Sequence, residues 1–209
     1  IDFDNMTKKE AVGYSMRIFD TDVSGYVVTP NPEIVWMCRK DERLRNAIRE
    51  AALVIPDGIG IIYGAKILKR PLKEKIPGID YISAMFAEMA KRGMSVFLLG
   101  AKPGVAEKAA ENIGKKYPGL VISGTADGYF KEDGPVIEKI NAARPDLLLV
   151  CLGAPKQEYW MRDNIEKLHV KLMAGLGGSL DVFAGTVQRA PEKWQKMGLE
   201  WLYRLLKEP

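Results

Sequence analysis

Six short apolar runs, separated by longer amphipathic segments, constrain this fold more than any other feature of the sequence. The runs cover residues 25–28, 52–55, 95–99, 120–122, 147–152 and 170–174. They are rich in Val, Ile and Leu, and Lys171 is the one charge inside them. Strands that are buried on both faces of a parallel sheet show this pattern. Segments between the runs, such as 81–91, 105–116 and 159–168, have the apolar spacing of helices.

This alternation of strands and helices predicts an α/β protein with a Rossmann-like layered fold, in which helices flank a mostly parallel sheet. The length of 209 residues suits a single domain over 1–209. A hydrophobic fraction of 47% excludes a disordered chain, and a net charge of +4 is too small for a typical nucleic-acid-binding surface. Cys38 and Cys151 lie in apolar stretches without metal-type spacing, which indicates a reduced, cytoplasmic protein.

Polar turns rich in Gly and Pro follow the predicted strands. In an open parallel sheet, ligands bind beyond the carboxyl ends of the strands. The turns at residues 29–33, 56–58, 100–104, 152–156 and 175–179 are therefore predicted to form one composite site. This shared placement is a stronger functional signal than any single motif.

Asp57 is the first catalytic candidate. Its Pro-Asp-Gly turn follows an apolar strand and would hold a half-shielded carboxylate at the sheet edge, where it could abstract a proton. The alternative is an N-cap for a helix that starts near Gly58, since Asp is favoured at that position. Thr29 and Asn31 stand in a turn stiffened by two prolines, which could bind the hydroxyls of a sugar or could be a simple connection.

Two glycine turns, at residues 100–104 and 175–179, could present backbone N–H groups to a phosphate. Neither is a P-loop, and Leu180 breaks the dinucleotide-binding pattern of the second turn. Tight packing is the alternative role for both turns. Asp181 could accept hydrogen bonds from a ribose or a base, or could simply favour the dipole of the helix that it begins.

Lys156 and Gln157 open a predicted helix directly above the sheet. A lysine at a helix N-terminus opposes the helix dipole, which favours an anionic partner at this position. The segment Asp20-Thr21-Asp22 has the composition of a metal-binding acidic pair, but it follows a helix, so we predict a loop and no metal there. His169 is the only histidine, and catalysis by a Ser-His-Asp triad is therefore unsupported.

Aromatic and basic residues alternate between residues 193 and 207. This composition fits a helix at a membrane interface, and it fits a core or subunit-interface helix equally well. An apolar helix at the end of a chain often packs on a second subunit, so a homo-oligomer is one expectation.

Eight ordered motifs together resemble the WecG/TagA/CpsF family of bacterial glycosyltransferases. They lie at residues 28–33, 56–60, 99–104, 127–130, 153–158, 175–181, 184–191 and 199–205, and so extend over nearly the whole chain. The resemblance implies an inverting transfer, without a metal or another cofactor, at the cytoplasmic face of the bacterial plasma membrane. N-acetylmannosamine would pass from UDP-N-acetylmannosamine to undecaprenyl-diphosphate-linked N-acetylglucosamine, forming a β-1,4 bond in wall teichoic acid synthesis.

The resemblance also implies roles for the candidate residues. Asp57 would be the general base, and Thr29 and Gln157 would line the site; Asn31 is added on its position alone. The residues implied to hold the nucleotide sugar lie in the two glycine turns and just after them: Gly100, Ala101, Lys102, Gly177, Gly178 and Asp181.

Family members usually continue beyond this C-terminus with an arginine-bearing segment that completes the site and contacts the membrane. We therefore expect this chain to lack a membrane-associating segment, and to bind UDP while turning over poorly. Three alternatives stay open at this point: a transferase that uses UDP-N-acetylmannosaminuronic acid, a nucleotide-dependent oxidoreductase, and a non-catalytic nucleotide- or lipid-binding module.

Overall fold

A six-stranded sheet forms the centre of the computed structural model, which describes residues 1–197 and 199–207. All described strand pairs are parallel, and the strand order is β2-β1-β6-β5-β3-β4. The strands are β1 Gly25–Val28, β2 Leu53–Val54, β3 Ser95–Gly100, β4 Val121–Ala126, β5 Leu147–Cys151 and β6 Leu172–Gly175. The predicted Rossmann-like α/β fold is confirmed.

Eleven helices of the described chain connect and flank these strands. They are α1 Lys8–Ile18, α2 Pro32–Met37, α3 Glu42–Arg49, α4 Ile59–Ile67, α5 Gly78–Lys91, α6 Val105–Lys116, α7 Asp133–Ala143, α8 Lys156–Asn164, α9 Ser179–Ala184, α10 Glu192–Lys196 and α11 Glu200–Lys207. A short 3-10 turn, Ile165–Lys167, follows α8. Among the described residues, no helix is long and apolar enough to cross a bilayer.

The hydrophobic core lies in two layers, one on each side of the sheet. Successive strand residues point to opposite faces, so Leu98 and Leu149 belong to one layer while Leu99 and Val150 belong to the other. Helices α1, α5, α6 and α9 cover the first face, and α2, α3, α7 and α8 cover the second. Burial on both faces explains why the strands appear in the sequence as continuous apolar runs.

The predicted boundaries hold well for the buried elements and less well at the edge. Strand β1 and helix α6 have the predicted bounds. Strand β4 runs to Ala126, four residues beyond the predicted apolar run, because its second half is polar or small and only partly buried. Gly124 in this half lies against the ring of Phe97, where a Cβ would come within 2.6 Å of the ring.

The aromatic and basic C-terminal stretch forms two short helices, α10 and α11. The rings of Trp194 and Tyr203 lie 5.7 Å apart and join the two helices. Met197 and Leu206 are more than half exposed, at 57% and 67%. The other residues on which the membrane-helix prediction depends include Trp201 and Leu205, whose side chains lie outside the described residues.

Candidate active site

The turns that follow the six strands all lie at one edge of the sheet, because the strands are parallel. The chain leaves β1 toward the layer that contains α2, and it leaves β6 toward the layer that contains α9. Their turns therefore separate and leave a crevice between two neighbouring strands, as expected where connections leave a parallel sheet in opposite directions. This topology confirms that the five predicted turns lie at one edge of the sheet, and their union in one composite site stays a prediction.

Asp57 follows β2 and is half-buried at this edge. Its Oδ2 accepts a hydrogen bond from the backbone N–H of Gly78, the first residue of α5, at 3.1 Å. The carboxylate thus faces the positive end of a helix of 14 residues. The alternative role as the cap of α4 is wrong, since Gly58 is the N-cap of that helix and no side chain caps it.

Thr29 lies beside the start of α5 as well. A Cβ built on Gly78 would come 3.5 Å from Thr29 Oγ1 and 2.9 Å from a methyl carbon of Leu176. The Thr29 hydroxyl donates to the carbonyl of Gly175 in β6 at 3.4 Å. Residues from three adjacent strand ends, those of β2, β1 and β6, therefore meet at the first turn of α5.

Gln157 is 3% exposed and connects β6 to α8. Its Oε1 accepts the backbone N–H of Gly177 at 2.9 Å, while its Nε2 donates to Glu158 Oε1 at 2.9 Å. Glu158 is 1% exposed, and burial raises the pKa of its carboxyl group above the ordinary value. Its second oxygen, Oε2, has no hydrogen-bond partner among the described residues.

Asn31 is the N-cap of α2, and its Oδ1 accepts the backbone N–H of Ile34 at 2.9 Å. This cap explains why an amide side chain stands at the position, without any ligand. One face of the amide is therefore already occupied, and its proposed contact with substrate stays a prediction.

The glycine turn after β3 is built against the neighbouring strands. A Cβ at Gly100 would lie 2.2 Å from the carbonyl oxygen of Cys151, and the Gly100 φ of +130° is one that L residues rarely adopt. The backbone of Ala101 donates to Cys151 and accepts from Gly128, which ties together the turns after β3, β4 and β5. Gly100 is therefore required for packing, whereas Lys102 is exposed.

Lys156 lies at the same edge and closes the group of turns. Its Nζ donates to the carbonyl of Gly128 at 3.1 Å and stands 5.1 Å from the centre of the Phe130 ring. The predicted cation is thus placed above the turns after β3 and β4, and it remains exposed to solvent.

The second glycine turn, after β6, is more open. In the described structure, no atom lies within 4 Å of a Cβ built on Gly177 or Gly178. The N–H of Gly177 already donates to Gln157, so the turn cannot offer that group to a phosphate. Asp181 accepts from Thr186 through its backbone carbonyl at 3.0 Å and through its carboxylate at 3.3 Å, which anchors the segment after α9.

Two cations near the start of α5 escaped the sequence analysis. Lys75 and Arg189 line a cavity of about 220 Å³ together with Pro77, Asp80 and Glu200, among others. Arg189 pairs with Asp80 at 2.6 Å and with Glu200 at 3.3 Å, and Lys75 lies 3.6 Å from Glu200. Burial opposes the charge of Arg189, but these carboxylates outweigh it and raise the pKa of the guanidinium above its ordinary value. Residue spacing alone carries no signal for this long-range cluster.

Comparison with known proteins identifies the family of this chain. The family model described as "Glycosyl transferase WecG/TagA/CpsF family" matches residues 1–209. The chain belongs to the WecG/TagA/CpsF family of glycosyl transferases. It is therefore an enzyme of the glycosyltransferase class, and the open question of a nucleotide-dependent oxidoreductase or a non-catalytic module is answered in favour of the transferase.

Curated relatives within this WecG/TagA/CpsF family carry a specific name. One from Bacillus spizizenii is 35% identical over 190 residues, which is 91% of this chain and 74% of the relative. One from Staphylococcus aureus strain MRSA252 is 35% identical over 209 residues, or 99% of this chain and 82% of the relative. Both are named N-acetylglucosaminyldiphosphoundecaprenol N-acetyl-β-D-mannosaminyltransferase.

The acidic pair at residues 20–22 and His169 lie at the amino edge of the sheet, opposite the candidate site. Asp20 pairs with Arg92 at 3.2 Å and Asp22 with Lys171 at 3.5 Å, in a loop as predicted. Across residues 1–197 and 199–207, no group of three or more His, Cys, Asp or Glu side chains is arranged to hold a metal ion.

Proposed function

We propose that this glycosyltransferase moves N-acetylmannosamine from UDP-N-acetylmannosamine to undecaprenyl-diphosphate-linked N-acetylglucosamine, with inversion and without a metal, to form a β-1,4 bond. The relatives from Bacillus spizizenii and Staphylococcus aureus are named for this sugar and this lipid-linked acceptor. The observation that carries the proposal is the position of Asp57, whose carboxylate is held at the helix start where the turns of three strands meet.

Asp57 is the proposed general base. Inverting transfer needs a carboxylate that removes the proton of the acceptor hydroxyl. The oxygen of that hydroxyl then attacks the anomeric carbon from the face opposite UDP. The Gly78 N–H donates to Oδ2 and so orients the carboxylate at the start of α5. Thr29 stands beside this helix start and is proposed to orient the sugar or the acceptor.

Gln157 and the turn after β6 are the proposed platform for the donor. The bond from Gly177 N–H to Gln157 fixes the turn while leaving open space over Gly177 and Gly178. The other proposed nucleotide contacts come from Asp181 and from Gly100, Ala101 and Lys102.

The leaving diphosphate needs positive charge in the transition state. Lys102 and Lys156 are exposed at this edge, and Lys75 and Arg189 line the cavity near α5. In a metal-free mechanism, these side chains and backbone N–H groups supply the electrostatic stabilisation. Because Lys75 and Arg189 are already paired with carboxylates, a diphosphate would have to share or displace those partners.

Release of UDP from UDP-N-acetylmannosamine, in the presence of a synthetic diphosphate-linked N-acetylglucosamine acceptor, tests the proposal. Asp57→Asn keeps an oxygen for the Gly78 N–H but removes the base, so we expect kcat to fall by about 10²–10⁴-fold while UDP affinity changes little. Asp127→Asn is the matched control, since Asp127 is another turn carboxylate at the same edge and accepts the N–H of Tyr129 at 2.8 Å.

Three results of this assay would count against the assignment. Wild-type turnover in Asp57→Asn would remove Asp57 as the base. An equal loss in Asp127→Asn would show that any disturbed turn at this edge stops the reaction. Faster transfer from UDP-N-acetylmannosaminuronic acid would replace the proposed donor with its oxidised counterpart.

A further inference from the structure

Helix α4 leaves two large apolar side chains exposed to solvent. Ile61 is its buried residue, whereas Tyr63 and Ile67 are 59% and 79% exposed. Leu68, which follows the helix directly, is 75% exposed. Exposed apolar side chains grouped on one segment are typical of a surface that contacts a partner or a membrane.

The same segment carries only positive charge. Residues 58–73 contain three lysines and one arginine and no Asp or Glu. Arg70 lies 4.0 Å from Asp2, and Lys73 lies 3.0 Å from Glu10. Within the part of the chain that the structure describes, no carboxylate is close enough to form an ion pair with Lys66 or Lys69.

The end of α4 presents these side chains from an ordered turn. The N–H of Lys69 donates to the carbonyl of Lys66 at 3.1 Å, and the N–H of Arg70 donates to that of Ala65 at 2.9 Å. With Lys69 at a φ of +58°, these bonds form a Schellman motif. A lysine thus occupies a position that glycine usually takes at the end of a helix.

The α2 segment also presents an exposed aromatic ring with a cation beside it. Helices α2 and α4 touch near their first turns, where a Cβ on Gly60 would come 2.8 Å from the ring of Pro32. One turn beyond Pro32, Trp36 is 63% exposed, and the Arg39 guanidinium lies 4.5 Å from the centre of its ring. We call these exposed residues the α2–α4 patch: Trp36, Arg39, Tyr63, Lys66, Ile67, Leu68, Lys69 and Arg70.

We propose that the α2–α4 patch docks the enzyme on an anionic lipid bilayer. This inference rests on the proposed function, because an acceptor carried by undecaprenol stays in the membrane while its sugar must reach Asp57. Helix α4 begins two residues after Asp57, so the turn that carries the proposed base leads directly into the helix that carries most of the patch. Aromatic and aliphatic side chains enter the interface, and the lysines and arginines complement the acidic headgroups.

Cosedimentation with vesicles tests the patch directly. We expect wild-type protein to bind vesicles made from equal parts of phosphatidylglycerol and phosphatidylcholine, and to bind pure phosphatidylcholine much less. Ile67→Ser combined with Leu68→Ser removes the apolar contact. Lys66→Gln combined with Lys69→Gln is expected to weaken binding about 25-fold, since each basic residue near an anionic surface contributes about 5-fold.

Matched controls change similar residues elsewhere. Lys115→Gln with Lys116→Gln removes the same charge from the exposed end of α6, and Val121→Ser removes an exposed apolar side chain from β4. Both controls are expected to bind within about threefold of wild type, because their charges and surfaces lie outside the patch. Wild-type binding by both patch variants would overturn the proposal. The proposal would also fail if light scattering showed that the patch variants have a lower molecular mass than wild type while their vesicle binding is unchanged. A second copy of the chain would then be the partner that covers the patch.

An activity comparison separates this inference from the proposed function. With a water-soluble acceptor that carries a short alkyl chain, the patch variants should turn over like wild type. With an undecaprenyl acceptor embedded in anionic vesicles, they should lose at least the factor lost in binding. If wild type transfers sugar to neither acceptor, the proposed function fails, and vesicle binding still decides the role of the patch.

Discussion

Replacing Gly100 with alanine tests whether this glycine serves packing. The new Cβ would lie 2.2 Å from the carbonyl oxygen of Cys151 and 2.5 Å from its carbon, so the backbones of β3 and β5 would have to separate by about 1 Å or more. Overpacking costs about 1–3 kcal/mol, and an L residue at the Gly100 φ of +130° costs about 1–3 kcal/mol more. We therefore expect the free energy of unfolding to fall by about 2–6 kcal/mol, a large share of the total for a protein of this size.

Thermal and urea unfolding measure this loss. At about 2–4 °C per kcal/mol, the midpoint should fall by about 4–24 °C. Gly104→Ala is the control, since Gly104 also has a positive φ, +85°, but no atom lies within 4 Å of its Cβ in the described structure. It should lose only the backbone contribution of about 1–2 kcal/mol. Equal losses in the two variants would refute the packing argument.

Three further predictions concern buried polar groups. Burial raises the pKa of Glu158, so the folded state binds the proton of this carboxyl group more tightly than the unfolded state does. The protonated carboxyl group therefore stabilises the fold fully below about pH 4, and this stabilisation is lost as the pH rises through the folded-state pKa. The side chain in Glu158→Gln cannot ionise, so the variant should gain stability relative to wild type between about pH 5 and pH 8. Urea titrations at each pH measure both free energies of unfolding, and a difference between them that does not change with pH would contradict this prediction. Burial raises the pKa of Cys151 to about 12, so its thiol should react with a maleimide at neutral pH only after the protein unfolds. Rapid labelling of Cys151 in the native protein, located by mass spectrometry, would contradict this prediction and show that the core around the thiol opens. The hydroxyls of Ser15 and Tyr81 lie 2.6 Å apart in the core. Tyr81→Phe should therefore lower the free energy of unfolding by about 1–3 kcal/mol, and adding Ser15→Ala should restore part of that loss. Additive losses in the double-mutant cycle would mean that the two hydroxyls are not coupled.

The sequence carries a clear signal for the buried part of the sheet. Strands such as β1 and β5 are covered on both faces, so their burial appears directly as runs of apolar residues. The polar half of β4 carries no such signal, because it is only partly buried and its pairing with β3 depends on a distant segment. Periodicity therefore identifies core strands and underestimates an edge strand.

The site was predictable in its placement and less so in its contacts. A turn after a parallel strand must lie at the carboxyl edge, so strand positions alone place Thr29, Asp57 and Gln157 at the same edge of the sheet. The Asp57–Gly78 bond links residues 21 apart through tertiary structure, and local rules favoured a cap for the next helix instead. Capping preferences describe neighbours in the chain, and they are silent on a carboxylate that reaches another helix.

The cations beside α5 show the same limit on a larger scale. Lys75 and Arg189 are far apart in the chain and share Glu200 as a partner. Their proximity results from the docking of α11 near the start of α5, which no local pattern encodes. Both resemble ordinary solvent-exposed charges in the sequence, although each is only about one-fifth exposed in the structure.

The position of β6 in the strand order also bears on how the protein is made. In the described sheet, β6 lies between the pair β2–β1 and the trio β5–β3–β4, and it is the strand that hydrogen-bonds to both groups. During synthesis the ribosome must therefore release the chain through residue 175 before the two groups can join. Until then, the facing edges of β1 and β5 are open to wrong pairing, and a nascent chain that stalls before residue 172 has Asp57 but cannot complete the crevice beside it.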